Sequence, residues 1–265
     1  MIHAKKSLGQ NFLNSKAVAR DIVREANLSP SDTVLEIGPG KGFLTSELLA
    51  SGAHIIAVEM DSRMIPILQE KFAEEINKNK FTLIHGDILK ELVKNTIGLP
   101  EKYKLIANIP YYLTGQIIRT FLETSLQPER MVIMVQKEVA TRIVARDKKE
   151  SILSIAVKVY GTPKLIKKVP ARYFTPAPKV DSAILSIGNI SHKNFPSQVS
   201  EKVFFEIVRA GFAHKRKILA GNLKEILGEK TLYILKETGI KENTRAENLS
   251  LDQWLVITSK YLHYQ

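Results

Sequence analysis

The sequence predicts an α/β fold, a doubly wound Rossmann-like sheet followed by a small all-α domain, and three observations carry that expectation. Short apolar runs alternate with helical stretches over the first two-thirds of the chain. A glycine loop follows the first run, and an acid ends the next one about 20 residues on, the offset typical of nucleotide-binding βαβ units. Beyond residue 199 every periodic segment has helical spacing. In order, residues 16–28 place Val18, Ile22 and Val23 on one face of a helix. Strands are expected near 33–37, 54–60, 81–85, 103–108 and 130–136, with helical stretches between them. The periodicity of Ser151 to Tyr160 suits either type of element. Lys164 to Val169 and Ala183 to Ile187 read as a closing antiparallel pair, and Gly188 to Pro196, rich in polar residues, as a linker. Helices follow near 199–212, 216–227, 230–238 and 251–263, broken by Gly228 and Gly239. The expected domains are 1–189 and 190–265.

Composition narrows the function. The 265 residues are 44% hydrophobic, enough for one large domain and a small one. Cysteine is absent, which excludes disulfides, thiolate metal sites and cysteine nucleophiles. The six histidines are scattered without ligand spacing, so no metal site is expected. The opening Met1-Ile2-His3-Ala4 leads into no signal-peptide core, and no segment approaches the ~20 apolar residues of a membrane span. A soluble cytoplasmic protein is expected. The net charge of +12 favours a polyanionic partner over a small neutral substrate. Residues 190–265 hold 12 Lys+Arg and 8 Asp+Glu, so the remaining +8 lies in 1–189. Lys164, Lys167, Lys168, Arg172 and Lys179 form a stretch without an acid, either a phosphate track or an edge strand kept soluble by lysines.

The loop Glu36-Ile37-Gly38-Pro39-Gly40-Lys41-Gly42 lets backbone approach a ligand, Glu59 is placed to accept ribose hydroxyls, and Asp87 ends the next strand. Asp87 could hold a cofactor amine or cap the helix that follows it. A dehydrogenase would share these features. Asn108-Ile109-Pro110-Tyr111 separates the two chemistries. An exocyclic base amine is a poor nucleophile because its lone pair is delocalised into the ring. Two acceptors that grip its hydrogens turn that pair towards an electrophile: the Asn108 side-chain oxygen, and the carbonyl before or at Pro110. Tyr111 offers a stacking face. The expected cofactor is therefore S-adenosylmethionine, and the sheet a methyltransferase sheet.

These motifs resemble the ribosomal RNA adenine N6-dimethyltransferase family along nearly the whole chain. The resemblance rests on Lys6-Ser7-Leu8-Gly9-Gln10-Asn11-Phe12-Leu13, Glu36 to Gly42, Val58-Glu59-Met60-Asp61, Gly86-Asp87, Asn108 to Tyr111, Gln136 to Ala140 and Phe174 to Ala183, in the family's order. It implies cofactor contact by Asn11, Leu13, Gly38, Glu59, Asp87 and Asn108. It also implies a target-adenine site of Asn108, Pro110, Tyr111 and Phe174, and a helix at 151–160. Phe212 to Leu223 is more similar to small-subunit members than to large-subunit resistance members. The implied substrate is two adjacent adenosines in a hairpin loop near the 3′ end of small-subunit rRNA. The implied partner is the small ribosomal subunit or its assembly intermediate, met by a monomer. Within that segment His214 and the cations Lys215, Arg216 and Lys217 could meet RNA, or Phe212, Ile218 and Leu219 could seat the domain while the cations stay solvated. The chain departs from many relatives at Tyr112 to Gln116, where they place a proline, and at Lys158, where glutamine is common. A large-subunit methyltransferase, a non-enzymatic assembly factor and a small-molecule methyltransferase remain as alternatives.

Overall fold

In the computed structural model, residues 4–5, 8–94 and 96–264 are described, so Lys6 and Ser7 of the opening motif lie outside the described residues. The chain divides into two compact units, 1–140 with 162–190, and 141–161 with 191–265.

The first unit begins with β1 (Phe12–Leu13) and α1 (Lys16–Ala26). Ser15 caps α1 by accepting from the Val18 N–H, and Asn27 ends it in the left-handed region. Val18, Ala19, Ile22 and Ala26 all point into the core, as the apolar spacing requires. Then come β2 (Thr33–Ile37), α2 (Phe43–Leu49), β3 (His54–Glu59), α3 (Ile65–Lys71), α4 (Ala73–Asn77), β4 (Phe81–His85), α5 (Ile88–Lys94), β5 (Lys104–Asn108), α6 (Thr114–Glu123), β6 (Arg130–Gln136) and α7 (Lys137–Val144). After α8 (Ile152–Tyr160) the chain returns to the sheet as β7 (Thr162–Val169), forms β8 (Phe174–Thr175) and ends the unit with β9 (Ser182–Gly188).

The seven-stranded sheet has the order β4-β3-β2-β5-β6-β9-β7. Strands β2 to β6 are parallel, whereas β9 pairs antiparallel with both β6 and β7. The expected closing pair is present, with β9 inserted between β6 and β7. A doubly wound sheet needs continuous apolar strands because both faces are covered; the five central residues of β6, Met131 to Val135, are all buried. The chain leaves β2 towards β3 on one side and returns as β5 on the other. That reversal opens a crevice at the carboxyl edge, beyond Ile37 and Ala107, which are register partners. One element was not expected: β1 pairs antiparallel with β8 through Phe12↔Thr175 and Leu13↔Phe174.

The second unit contains α8, α9 (Glu201–Gly211), α10 (Leu219–Leu227), α11 (Thr231–Glu237) and α12 (Leu251–His263). Its inclusion of residues 141–161 departs from the expected division at 189/190. The reason is packing. Tyr160 sits among His192, Phe195 and Phe205, with ring centroids 5.3 to 6.1 Å apart, and the Glu150 N–H donates to the Glu247 carbonyl. With this segment included, the unit carries 17 Lys+Arg against 10 Asp+Glu, net +7, leaving +5 for the larger one.

Candidate active site

The loops after β2, β3, β4 and β5 meet at the carboxyl edge and surround a cavity of about 840 Å³, counted with its open mouth. Its lining includes Gly9, Gln10, Asn11, Gly38, Glu59 and Asp87, together with Asn108 to Tyr112. Most candidate site residues, scattered over the first 111 positions, are therefore brought together.

Gly38 adopts φ +67°, and a Cβ there would stand in open space. A side chain would be strained and would project into the cavity, so glycine keeps the backbone accessible to a ligand. Gly40 is also left-handed, and a Cβ on it would come 2.9 Å from the Phe12 ring.

Glu59 is 5% exposed. Its Oε2 accepts from the Gly40 N–H at 2.9 Å and its Oε1 from the Asp61 N–H at 2.7 Å. Burial raises its carboxyl above the ordinary range, and these backbone bonds pull it back. Each oxygen retains a second lone pair for a ligand hydroxyl. Asp61 is held well below the usual carboxylate range, first by the Arg63 guanidinium and also by Gln10. Gln10 Nε2 donates to Asp61 Oδ2 at 2.9 Å, which ties the N-terminal arm to the loop after β3. Behind the glycine loop, Glu36 accepts from Thr45 Oγ1 at 2.7 Å. Complete burial, reinforced by the nearby Glu59, pushes it up to about 8.

Asp87 Oδ1 accepts from the Leu89 N–H at 3.1 Å at the start of α5, as expected of a helix cap, and the residue also lines the cavity.

Asn108 closes β5. Its Nδ2 donates to the Asn11 carbonyl at 3.0 Å, which fixes the amide and leaves Oδ1 as the acceptor for a ligand. The Pro110 carbonyl is already taken by the Leu113 N–H at 3.0 Å. The carbonyl of Ile109, the residue before the proline, is the other candidate for the second acceptor, and both residues line the cavity. Tyr111 is half-buried, its hydroxyl 2.6 Å from Ser182 Oγ. Tyr112 is 62% exposed at the cavity rim, with its ring edge 3.1 Å from where a Gly9 Cβ would stand.

Two expected site residues are not cavity-lining. Leu13 and Phe174 are ribbon partners, 6% and 3% exposed, in the hydrophobic core. The Phe174 ring therefore presents no face to the cavity in this conformation. Sequence reasoning missed Tyr112 and the link from Gln10 to Asp61. The second tyrosine directly after the Asn108 to Tyr111 motif was the available signal for the first, and nothing local signalled the last.

Among the expected phosphate-binding residues, Lys164, Lys168, Arg172, Lys179, Lys215, Arg216 and Lys217 are exposed. Lys167 is exposed too, but its Nζ lies 2.5 Å from Asp21 Oδ2. Arg172 sits 5.2 Å from the Tyr173 ring centroid. Among the described residues no cluster of histidine and acidic side chains could hold a metal ion, and no helix is long and apolar enough to cross a membrane.

The cavity fits S-adenosylmethionine. Glu59 offers two free lone pairs for ribose, the bare Gly38 backbone admits a close ligand, Ile37, Val58 and Ile88 supply apolar walls, and Asp87 offers an acceptor. Bound there, the cofactor supplies a methyl group on a sulfonium, and the chain supplies position and acceptors. The fold and cavity thus define a S-adenosylmethionine-dependent methyltransferase. The sequence profile of the family described as Ribosomal RNA adenine dimethylase matches residues 1–262, and the chain belongs to that family.

Ribosomal RNA small subunit methyltransferase A of Dehalococcoides mccartyi (strain CBDB1) is 45% identical over 263 residues, covering 98% of this chain and 89% of the relative. The protein of the same name from Fusobacterium nucleatum subsp. nucleatum is 39% identical over 255 residues, covering 95% of both. A dimethyladenosine transferase from Plasmodium falciparum superposes with a TM-score of 0.78 at 26% identity, over 93% of this chain and 95% of that one. The 23S rRNA methyltransferase ErmE, with a TM-score of 0.75 at 24% identity over 96% and 100%, shares the fold.

Proposed function

We propose that the protein transfers methyl groups from S-adenosylmethionine to the N6 amines of two adjacent adenosines in a hairpin loop near the 3′ end of small-subunit rRNA, carrying each to N6,N6-dimethyladenosine. The observation that carries the chemistry is the Asn108 amide, which lines the cavity and whose Nδ2 is engaged by the Asn11 carbonyl, so that Oδ1 is left as the acceptor. The names of the relatives at 45% and 39% identity support the small-subunit target.

Oδ1 of Asn108 and the Ile109 carbonyl accept the two amine hydrogens and turn the nitrogen lone pair towards the methyl carbon. The nitrogen–carbon bond forms as the carbon–sulfur bond breaks, and the bonding pair stays on sulfur. Positive charge passes to nitrogen, and its extra proton leaves to water. No side-chain base is required. Positioning supplies most of the rate. Tyr111, anchored through Ser182, stacks the base, and Tyr112 bounds the rim beside it. A monomethylated amine still has one hydrogen to donate and a lone pair, so the same site accepts it again.

Extracting a paired base costs a few kcal/mol, which favours a loop or an incompletely folded RNA as substrate. The exposed cations named above meet phosphates, so activity falls steeply with salt. The protein acts as a monomer, in the cytoplasm, on the small subunit or its assembly intermediate. The test is transfer of tritiated methyl groups to unmodified small-subunit particles, followed by mapping of the modified nucleotides. Two dimethyladenosines in the 3′-terminal hairpin loop are expected. Label found only in large-subunit RNA would refute the target, and no label in either would refute the activity.

A further inference from the structure

In the second unit, the loop between α9 and α10 carries His214, Lys215, Arg216 and Lys217, all exposed. None of the four makes an ion pair among the described residues. The loop is nonetheless built. Phe212 stacks on Trp254 with centroids 5.6 Å apart, and a Cβ on Gly211 would come 2.3 Å from the same buried indole. The Lys217 N–H donates to the His214 carbonyl at 3.0 Å. The aliphatic stem of Lys217 lies over Gly221, where a Cβ would come within 2.7 Å of it.

At the centre of this arrangement is Asn222 on α10, 7% exposed. Its Nδ2 donates to the Gly211 carbonyl at 2.6 Å and to the His214 carbonyl at 3.2 Å, so one side chain ties the last residue of α9 to the residue that opens the cationic turn. Its Oδ1 is buried without a hydrogen-bond partner. A buried unpaired acceptor is unfavourable, and a leucine would fill the same space without it. The amide is therefore accounted for by its two donors, and with two carbonyls facing it the opposite amide orientation is excluded.

We infer that Asn222 is the positioning residue that presents Lys215, Arg216 and Lys217 as a preformed phosphate-binding loop. The inference rests on the RNA reading above and adds to it a residue that touches no RNA. A preformed loop loses less conformational freedom on binding than a flexible one. Removing the pin should weaken RNA binding through the salt-dependent contacts and leave the chemistry alone.

The test compares Asn222→Asp, whose carboxylate would face two carbonyls, with the triple variant Lys215→Ala/Arg216→Ala/Lys217→Ala. The probe is the unmodified small-subunit particle, and the readout is the slope of log affinity against log salt, together with kcat and KM. Trp254 is the only tryptophan, so its emission reports directly whether this unit stays folded. The triple variant should reduce the slope by about 2, given ~0.7 to 0.9 per phosphate lost. Asn222→Asp should reduce it by about 1 or more and raise KM at least fivefold, with kcat at saturating particle and S-adenosylmethionine affinity unchanged. A wild-type slope in folded Asn222→Asp, with the triple variant impaired, overturns the positioning role alone. A wild-type slope in the triple variant overturns the RNA role of the loop as well. A third measurement needs no variant: in the wild-type protein without RNA, the Lys217 amide should exchange hydrogen more slowly than an unstructured chain. Exchange at the unstructured rate would overturn the inference whatever the variants do.

Discussion

Replacing Glu59 with alanine removes three things at once: the acceptor for the Gly40 N–H, the acceptor for the Asp61 N–H, and the lone pairs that face ribose. Hydrogen bonds to a charged group contribute about 1.5 to 3 kcal/mol each, and at 5% exposure solvent does little to screen these. The two amides left bare can recover part of the loss by binding ribose or water. The net loss of cofactor affinity is therefore expected to be at least ~1.5 kcal/mol, more than tenfold in Kd. Glu59→Gln should be no better, because the amide offers one acceptor oxygen and turns an NH2 group on the other N–H. Stability should also fall, by about 1 to 3 kcal/mol for each amide left unpaired, offset in part because a carboxylate that burial disfavours has been removed. Calorimetry with S-adenosylhomocysteine gives the affinity, and thermal melts with and without that ligand separate binding from folding. A folded Glu59→Gln protein that binds with wild-type affinity would refute the assignment of Glu59 to ribose.

Four other outcomes are expected. Asn108→Ala should lower kcat much more than RNA affinity, because the amide acts on one amine within a largely electrostatic interface; single-turnover rates and filter binding on the same particles would show it, and a wild-type rate would rule out the acceptor role. Tyr111→Phe keeps the stacking face but loses the 2.6 Å bond to Ser182, so turnover should fall less than in Tyr111→Ala, where stacking of about 1 to 3 kcal/mol is lost; equal rates in the two variants would contradict the stacking role. Lys164→Ala/Lys168→Ala should reduce the salt slope of RNA binding, whereas Lys167→Ala should change it less, because Lys167 is paired with Asp21. Glu36, ordinarily at 4.5 and raised to about 8 in the fold, contributes stability that is present below pH 4.5 and lost as pH rises towards 8. Glu36→Gln should flatten that decline, whose full size is on the order of 5 kcal/mol; parallel melting curves of wild type and variant between pH 5 and 8 would contradict the burial of Glu36.

Much of this fold was legible because the long elements have strong periods. The five parallel strands are largely apolar runs, and the helices beyond residue 199 show helical spacing, so both lie within a residue or three of the expected ranges. The β1–β8 ribbon was not legible, since two residues per strand carry no period and the partners are about 160 positions apart. That omission bears on the site, because the pairing of Leu13 with Phe174 puts both in the core. That Glu59, Asp87 and Asn108 would come together at one cavity could be read from spacing and chemistry. The direction of the Asn108 amide could not, because it depends on a backbone carbonyl at position 11 that every residue type would supply. Residues 141–161 were assigned by sequence continuity, while their aromatic and backbone partners lie beyond residue 191.

The insertion of β9 between β6 and β7 constrains the order in which the chain can acquire its structure. Strand β6 leaves the ribosome with one edge open, and its five buried central residues are Met, Val and Ile. The partner for that edge, β9, is made about 50 residues later, so an apolar edge must wait through the synthesis of α7, α8 and β7. Strand β7 arrives first and could occupy the vacancy wrongly. It carries Lys164, Lys167 and Lys168 and, in its native pairing, a bulge between Leu165 and Lys167, features that disfavour burial at the centre of a sheet. The lysines that the RNA reading assigns to phosphate thus also suit β7 to an outer edge and not to the gap beside β6.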